Sequence, residues 1–146
     1  MAAGDFQGTY DLTKVVTTIG GVILTGFGEG DVITYDYEEE RTFTKVGADG
    51  EVGVASNPSR LGTATFNLSQ TSKANDELSA LFNIGSLGSI INPVPVGSAD
   101  LSGRSVAGGS KSWIKKTPPM TFGREIGERE WVFQVADLLM TFGGNG

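Results

Sequence analysis

The sequence predicts a mostly β chain with one flanking helix, and three observations carry that prediction. Its 22 glycines, five prolines and abundant threonine and valine suit many short strands joined by turns rather than a helical bundle. In Gly62-Thr63-Ala64-Thr65-Phe66-Asn67-Leu68, the residues Ala64, Phe66 and Leu68 alternate with Thr63, Thr65 and Asn67. That period of two buries one face of a strand and wets the other. Directly afterwards, Ala74, Leu78, Leu81 and Phe82 fall at helical spacing, with Ser72 placed to cap and Asp76 and Glu77 near the positive end of the helix dipole, so a helix is expected over about 72–83.

The remaining elements follow in order. Leu12 to Ile19 is β-branched and reads as a strand; Gly20-Gly21 marks a turn, and Val22 to Thr25 continues as a second strand, which makes 12–25 a hairpin. Asp31 to Tyr37 is the next strand, apolar on both faces except for Asp36. Such a strand is expected to be half core and half contact surface. Residues 38–61 are long for a connection within a compact domain, are punctuated by Gly47, Gly50 and Gly53, and contain the tight-turn pair Asp49-Gly50; they are expected to form an interaction loop or hairpin. Beyond the helix, Pro93 and Pro95 withhold two ladder donors, which predicts an edge strand or a strand entrance. Asp100 to Ser105 reads as a turn, and Lys111 to Lys116 as a strand closed by Pro118-Pro119. In Glu128 to Asp137, Trp131, Phe133 and Val135 share one face, which predicts a strand central to the core. Leu138 to Phe142 extends it as an apolar segment suited to docking on a neighbour. The Gly-rich ends, 1–8 and 143–146, are expected to be flexible, so the 146 residues form a single domain between loose termini.

Composition closes off much chemistry. The absence of cysteine removes disulfides and thiolates, and the absence of histidine removes the commonest general base and transition-metal ligand. A formal net charge of -6 repels nucleic acid rather than neutralising its phosphates. No apolar run approaches the length needed to span a bilayer and the N-terminus has no signal-peptide pattern, so the chain is expected to be cytosolic when made, without a membrane partner.

Local motifs fare no better. Gly26-Phe27-Gly28-Glu29-Gly30 lacks the spacing of a phosphate loop, and 49–50 lacks the carboxylates of a calcium loop. Ser112 and Lys115 have the S-x-x-K spacing, but on a strand they point to opposite faces. Trp113 and Trp131 could offer a carbohydrate-stacking platform, and Glu125, Glu128 and Glu130 form a late acidic cluster whose neighbours Arg124 and Arg129 favour ordinary surface pairing over catalysis. The expectation is a protein that is not an enzyme and uses no cofactor or metal.

With these residues in view, the sequence resembles a tail tube protein of long-tailed, contractile-tailed bacteriophages. The resemblance rests on the turn Val46-Gly47-Ala48-Asp49-Gly50-Glu51-Val52, the strand from Gly62 to Leu68 leading through Ser69-Gln70-Thr71-Ser72 to Asn75-Asp76-Glu77-Leu78-Ser79-Ala80-Leu81, Trp113-Ile114-Lys115-Lys116, and Arg129-Glu130-Trp131. It implies two packed antiparallel sheets, or a flattened β-barrel, with a flanking helix, shared in outline with the type VI secretion tube protein. It also implies a virion structural protein whose hexameric rings stack into a tail tube, a conduit for DNA ejection through which DNA passes without stable binding. The partners it implies are copies of the chain itself and the tail sheath, baseplate and tail terminator proteins, and the place it implies is the virion tail, after assembly in the host cytoplasm. The alternative is a tube subunit of a type VI or other contractile injection system. The residues expected at subunit and ring interfaces are Glu38, Glu39, Glu40, Arg41, Lys45, Asp49, Glu51, Arg60, Leu139 and Phe142.

Overall fold

The computed structural model describes residues 8–87 and 93–145. Expectations for 1–7, for the loop over 88–92 and for Gly146 lie outside the described residues. A 3-10 turn (Leu12–Lys14), opened by Asp11, precedes β1 (Val15–Ile19), so the first strand starts three residues later than its β-branched run. Asp11 accepts the Thr13 N–H at 3.0 Å and the Thr13 hydroxyl at 2.7 Å, which tightens the chain into a turn there. Gly20 and Gly21, at φ 57° and 88°, then reverse it into β2 (Val22–Ile23).

Eight strands form one antiparallel sheet. In addition to β1 and β2 these are β3 (Ile33–Tyr37), β6 (Gly62–Ser69), β7 (Val94–Asp100), β8 (Val106–Lys116), β9 (Glu128–Val135) and β10 (Leu139–Thr141). The order is β2-β1-β7-β8-β9-β6-β3, with β10 also on β8. The remaining two strands, β4 (Thr42–Val46) and β5 (Val52–Ser56), pair only with each other. The helix α1 runs Ala74–Leu87, four residues beyond the expected end at 83.

The sheet curls on itself. Tyr35 on β3, at one end of the strand order, places its hydroxyl 2.6 Å from the Ser98 hydroxyl on β7, and Ser98 in turn lies 2.8 Å from Thr17 on β1. Only a strongly curved sheet brings these strands together. The curl encloses Phe66, Phe133, Val135, Trp131, Leu68 and Leu138, while Ala74 and Leu78 of α1 join the same apolar cluster. Edge-on ring contacts, Tyr35 to Phe66 at 5.9 Å and Phe66 to Phe133 at 5.7 Å, run through its centre. The curl does not close: β2 and β3 end the order without pairing. The fold is therefore two antiparallel sheets of very unequal size with one helix, and the barrel alternative is not realised.

Three expectations change or narrow. β3 is not apolar on both faces: Ile33, Tyr35 and Tyr37 turn inward, whereas Thr34 and Asp36 face solvent. Of the two alternatives for Pro93 and Pro95 the strand entrance is realised and the edge strand is not: β7 lies between β1 and β8, and Pro95 is tolerated because the register shifts between Val94 and Val96 at its start. β8 begins at Val106, five residues before the expected strand, through Gly108 and Gly109, which give a sequence reading no β signal. At Gly108 a Cβ would stand 2.5 Å from the Val96 carbonyl oxygen, so the close approach of β7 requires glycine there.

Polar side chains fasten the joints. Asn75 at the start of α1 accepts the Trp131 indole N–H at 2.9 Å and donates to the Ser69 and Ser72 carbonyls, tying helix to core strand. Ser72 accepts the Ala74 N–H at 3.2 Å, as its capping role requires, and donates to the Thr25 carbonyl. Asp137 separates β9 from β10 by accepting the Ser110 N–H at 3.0 Å, the Lys111 N–H at 3.2 Å and the Ser110 hydroxyl, which replaces the ladder at that point and holds its carboxyl below the usual range. The described part of the C-terminal tail is hydrogen-bonded to the body. Asn145 donates to Asp100 and Ser102, Gly143 exchanges hydrogen bonds with the Ser105 hydroxyl, and the Asn145 carbonyl accepts the Thr9 N–H at 3.1 Å.

Candidate assembly surface

Residues 38–61 leave the end of β3 and return to β6 as the β4–β5 hairpin, in register from Thr42↔Ser56 to Val46↔Val52. The turn follows from sequence: Gly50 adopts φ 88°, Asp49 accepts the Glu51 N–H at 3.2 Å, and Gly47 and Glu51 close the loop at 2.7 Å. Every residue of both strands is exposed. The register puts Val46, Val52 and Val54 on one face with Thr42, Thr44 and Ser56, and Phe43 and Ala55 on the other with Lys45. Phe43 is 55% exposed and Val54 66%. A two-stranded ribbon is marginal on its own in water, and this one leaves its apolar side chains uncovered within the subunit.

The base of the hairpin is built more firmly than its strands. Asn57, buried, donates to the Glu39 carboxylate at 2.8 Å and the Glu40 carbonyl at 2.9 Å, while its own N–H reaches the Arg41 carbonyl at 2.7 Å. Glu38 lies on the outer face of the sheet, where Gln134, Lys115 and Thr63 converge on it; the Gln134 amide and the Lys115 charge hold its carboxyl below the usual range. The ion pair Lys115–Glu38 at 3.4 Å is solvent-exposed and contributes little to stability.

The expected contact residues therefore separate into groups. Glu38, Glu39 and Asp49 carry intramolecular hydrogen bonds at the root and turn of the hairpin, whereas the side chains of Arg41, Lys45, Glu51 and Arg60 are exposed along it. Leu139 and Phe142, 56% and 85% exposed, lie far from it in sequence: Leu139 pairs with Gly108 in the β8–β10 ladder and Phe142 follows its last pair. Phe142, but not Leu139, lines a groove of about 480 Å³ together with Tyr10, Val32, Tyr35 and Met140. The groove follows the free edge of β3. Because Val32 and Glu38 bond to Asn67 and Leu61, the backbone groups of Thr34 and Asp36 face β6, and those of Ile33, Tyr35 and Tyr37 face away from it. Burial within the groove pushes the Tyr35 hydroxyl up to about 12, so it remains a neutral hydrogen-bonding group.

Sequence reasoning missed the loop 117–127 between β8 and β9. Met120, Phe122 and Ile126 are each more than 70% exposed there. Three large apolar residues within seven positions, beside Pro118-Pro119, were the available signal.

Other motifs resolve locally. Trp131 is buried with its N–H committed to Asn75, so it offers no sugar platform. Ser112 is buried and donates to the Val94 carbonyl at 2.6 Å, whereas Lys115 reaches Glu38, so the S-x-x-K pair does not converge. Glu128 is held by the Glu29 N–H and the Asn67 amide, which lower its pKa as structural hydrogen bonds. Among the described residues no cluster of three or more carboxylates could hold a metal ion, and no helix is long and apolar enough to cross a membrane.

The hairpin, the open edge of β3 and the 117–127 loop are exposed apolar surfaces of the described residues. The family model of the bacteriophage PhiTE tail tube protein matches residues 7–143. The chain belongs to that phage tail tube family. It is also 31% identical over 131 residues to the structural protein ORF10 of Pseudomonas phage KPP10, an alignment covering 84% of this chain and 71% of that one. Among solved structures, the fold is similar to the sheath/tube terminator of the PVC extracellular contractile injection system in its extended state, with TM-score 0.63, 12% identity and coverage of 96% of this chain and 100% of that one. The anti-feeding prophage tube terminating cap gives TM-score 0.62 at 12% identity, covering 97% and 99% of the two chains. A chain of the PVC sheath-tube complex gives 0.56 at 11%, covering 92% and 93%. At these identities the solved structures share the fold. This tail tube family member is thus a phage structural protein of the virion tail.

Proposed function

We propose that this protein is the repeating subunit of a phage tail tube: copies close into rings, six to a ring, and the rings stack into a hollow conduit through which the genome is ejected. The observation that carries this reading is the β4–β5 hairpin, whose apolar residues on both faces find no cover within the subunit. Ring closure and stacking need two separate heterologous contacts per subunit. The hairpin and the groove between the β3 edge and Phe142 are two such regions. The net charge of -6 suits a wall past which DNA slides without lasting phosphate contacts. In this reading the protein has no catalytic activity and no cofactor. It assembles in the host cytoplasm and meets the sheath, baseplate and terminator proteins of the same tail.

Negative-stain microscopy of the concentrated purified chain tests the proposal. Rings and tubes are the expected result, and a monomer at every concentration, with no copies in the virion, would overturn it. A second reading, a terminator that caps the tube, draws on the two terminator folds of highest similarity given above. Copy number in purified virions separates the two: a tube subunit is present in many rings, a terminator in one. A tube in a type VI or other injection system is the remaining alternative, decided by the particle in which the protein is found.

A further inference from the structure

The groove beside β3 has two walls of different kinds. One is the sheet, where Val32 is buried and Tyr35 is held by Ser98. The other is a clasp between three stretches distant in sequence, 9–11, 100–105 and 139–145, which supplies Tyr10, Asp100, Ser105, Met140, Phe142 and Asn145 to the lining. The clasp is interlocked. The Asn145 side chain donates to Asp100 at 2.9 Å and to Ser102 at 3.2 Å, while its carbonyl accepts the Thr9 N–H. The Ser102 hydroxyl accepts the Asp11 N–H at 3.2 Å, and the Gly144 carbonyl accepts the Arg104 N–H at 3.2 Å. Gly143 lies so close to the turn that a Cβ there would stand 2.6 Å from the Arg104 carbonyl oxygen.

Little apolar burial fastens this clasp. Leu138 is the last fully buried hydrophobic side chain among the described residues, with its N–H on the Arg60 carbonyl at 3.0 Å. Beyond it Leu139 and Phe142 are exposed, Met140 is half-buried, and the other ties are hydrogen bonds near the surface. A segment with few buried apolar contacts and accessible hydrogen bonds opens at a free energy well below that of global unfolding.

We propose that the clasp is a latch: residues 139–145 open and close as one unit hinged after Leu138, and only the closed form presents the groove to a neighbouring copy of this chain. This rests on the tube reading and names how the surface used there is switched. Opening removes one wall of the groove and frees β8 from its pairing at Val106 to Gly108. A neighbour that binds the closed form alone meets a population of competent subunits reduced by the open fraction, and its binding in turn holds the latch shut.

Hydrogen exchange of the full chain, read amide by amide after quenching, tests the unit. Gly143→Ala blocks closure by steric contact with Arg104, and Asn145→Ala removes two of the hydrogen bonds; neither residue is in the core. In both variants the Thr9 and Arg104 amides are expected to lose protection together, by about tenfold for Asn145→Ala and by more for Gly143→Ala, while β6 and β9 keep theirs. The concentration at which tubes first appear in negative stain should rise in the same order, and tubes of the parent chain should protect both amides better than the free subunit does. Amides at Thr9 and Arg104 that respond separately, or in step with β6 and β9, would overturn the latch. A variant whose latch opens but whose tubes appear at the parental concentration would overturn the switch. Parent chains that never form tubes, alone or in virions, would sink the tube reading and the switch with it, whereas joint exchange at Thr9 and Arg104 would still establish the latch.

Discussion

β6 and the β4–β5 hairpin are neighbours in sequence and both are antiparallel strands, yet they meet opposite fates. Along β6 every second residue is buried, because α1 and the curled sheet lie over one face. Along β4 and β5 nothing is buried, although Phe43, Val46, Val52 and Val54 are as apolar as many core residues. The difference teaches that a strand's pattern reports which residues want cover, whereas the fold decides whether the cover comes from the same molecule. In β6 the apolar side chains stabilise the subunit; in the hairpin they are available to stabilise an assembly.

The comparison breaks most completely if the hairpin is removed. Deletion of 42–56 is expected to abolish tubes in negative stain and leave a folded monomer with a cooperative melt; long tubes from the deletion would show that the hairpin is not the contact. The next largest effect separates the two regions by stability. Phe66→Ala, at the centre of the ring contacts, is expected to cost about 3–5 kcal/mol in denaturant unfolding, against less than about 0.5 kcal/mol for Val54→Ala in the isolated subunit. Equal costs would mean that the hairpin is part of the core.

Gly108→Ala sharpens the picture on the core side. The new Cβ meets the Val96 carbonyl oxygen, and a loss of about 1–3 kcal/mol is expected from the displaced β7–β8 pairing. Asn57→Ala probes the junction: loss of its bonds to Glu39 and Glu40 should cost about 1 kcal/mol and speed amide exchange through 42–56 while β6 and β9 keep their protection. Exchange that rises equally in all four strands would count against a local role for Asn57 at the hairpin root.

The smallest effect is in pH. Asp137 has its carboxyl lowered from 3.8 by the Ser110 hydroxyl and the Ser110 and Lys111 N–H groups. A folded-state value below the unfolded one means that the unfolded chain binds more protons in that window. The stabilisation is fully present above the unfolded value and is lost as pH falls through the folded one. Asp137→Asn should therefore flatten the acid limb of the melting-temperature profile below about pH 4. An unchanged acid limb would mean that the carboxylate bonds do not hold in solution.

The separate stretches were legible to different degrees. β6, β9 and α1 could be read because burial on one face leaves a periodic trace, and the turns at Gly20-Gly21 and Asp49-Gly50 because left-handed backbone selects glycine. The first half of β8 and the interior place of β7 could not be read. Glycine and proline usually break strands, and here they serve a close approach and a bulge created by strands distant in sequence. The hairpin was legible as a segment, but how its charged residues are used within the chain was not. Charge alone did not distinguish Glu38 and Glu39, bound at the hairpin root, from the exposed Arg41 and Glu51.

By itself the sequence determined the alternation of its strands, the single helix and a chemistry without thiol or imidazole, because each is written in local spacing or residue type. Only the tertiary structure decided that the large sheet curls without closing, that the hairpin stands outside it, and that the 117–127 loop lies at the opposite end. The reason is physical: side-chain direction along a strand follows from the pleat, but what lies above that side chain depends on where the rest of the chain folds.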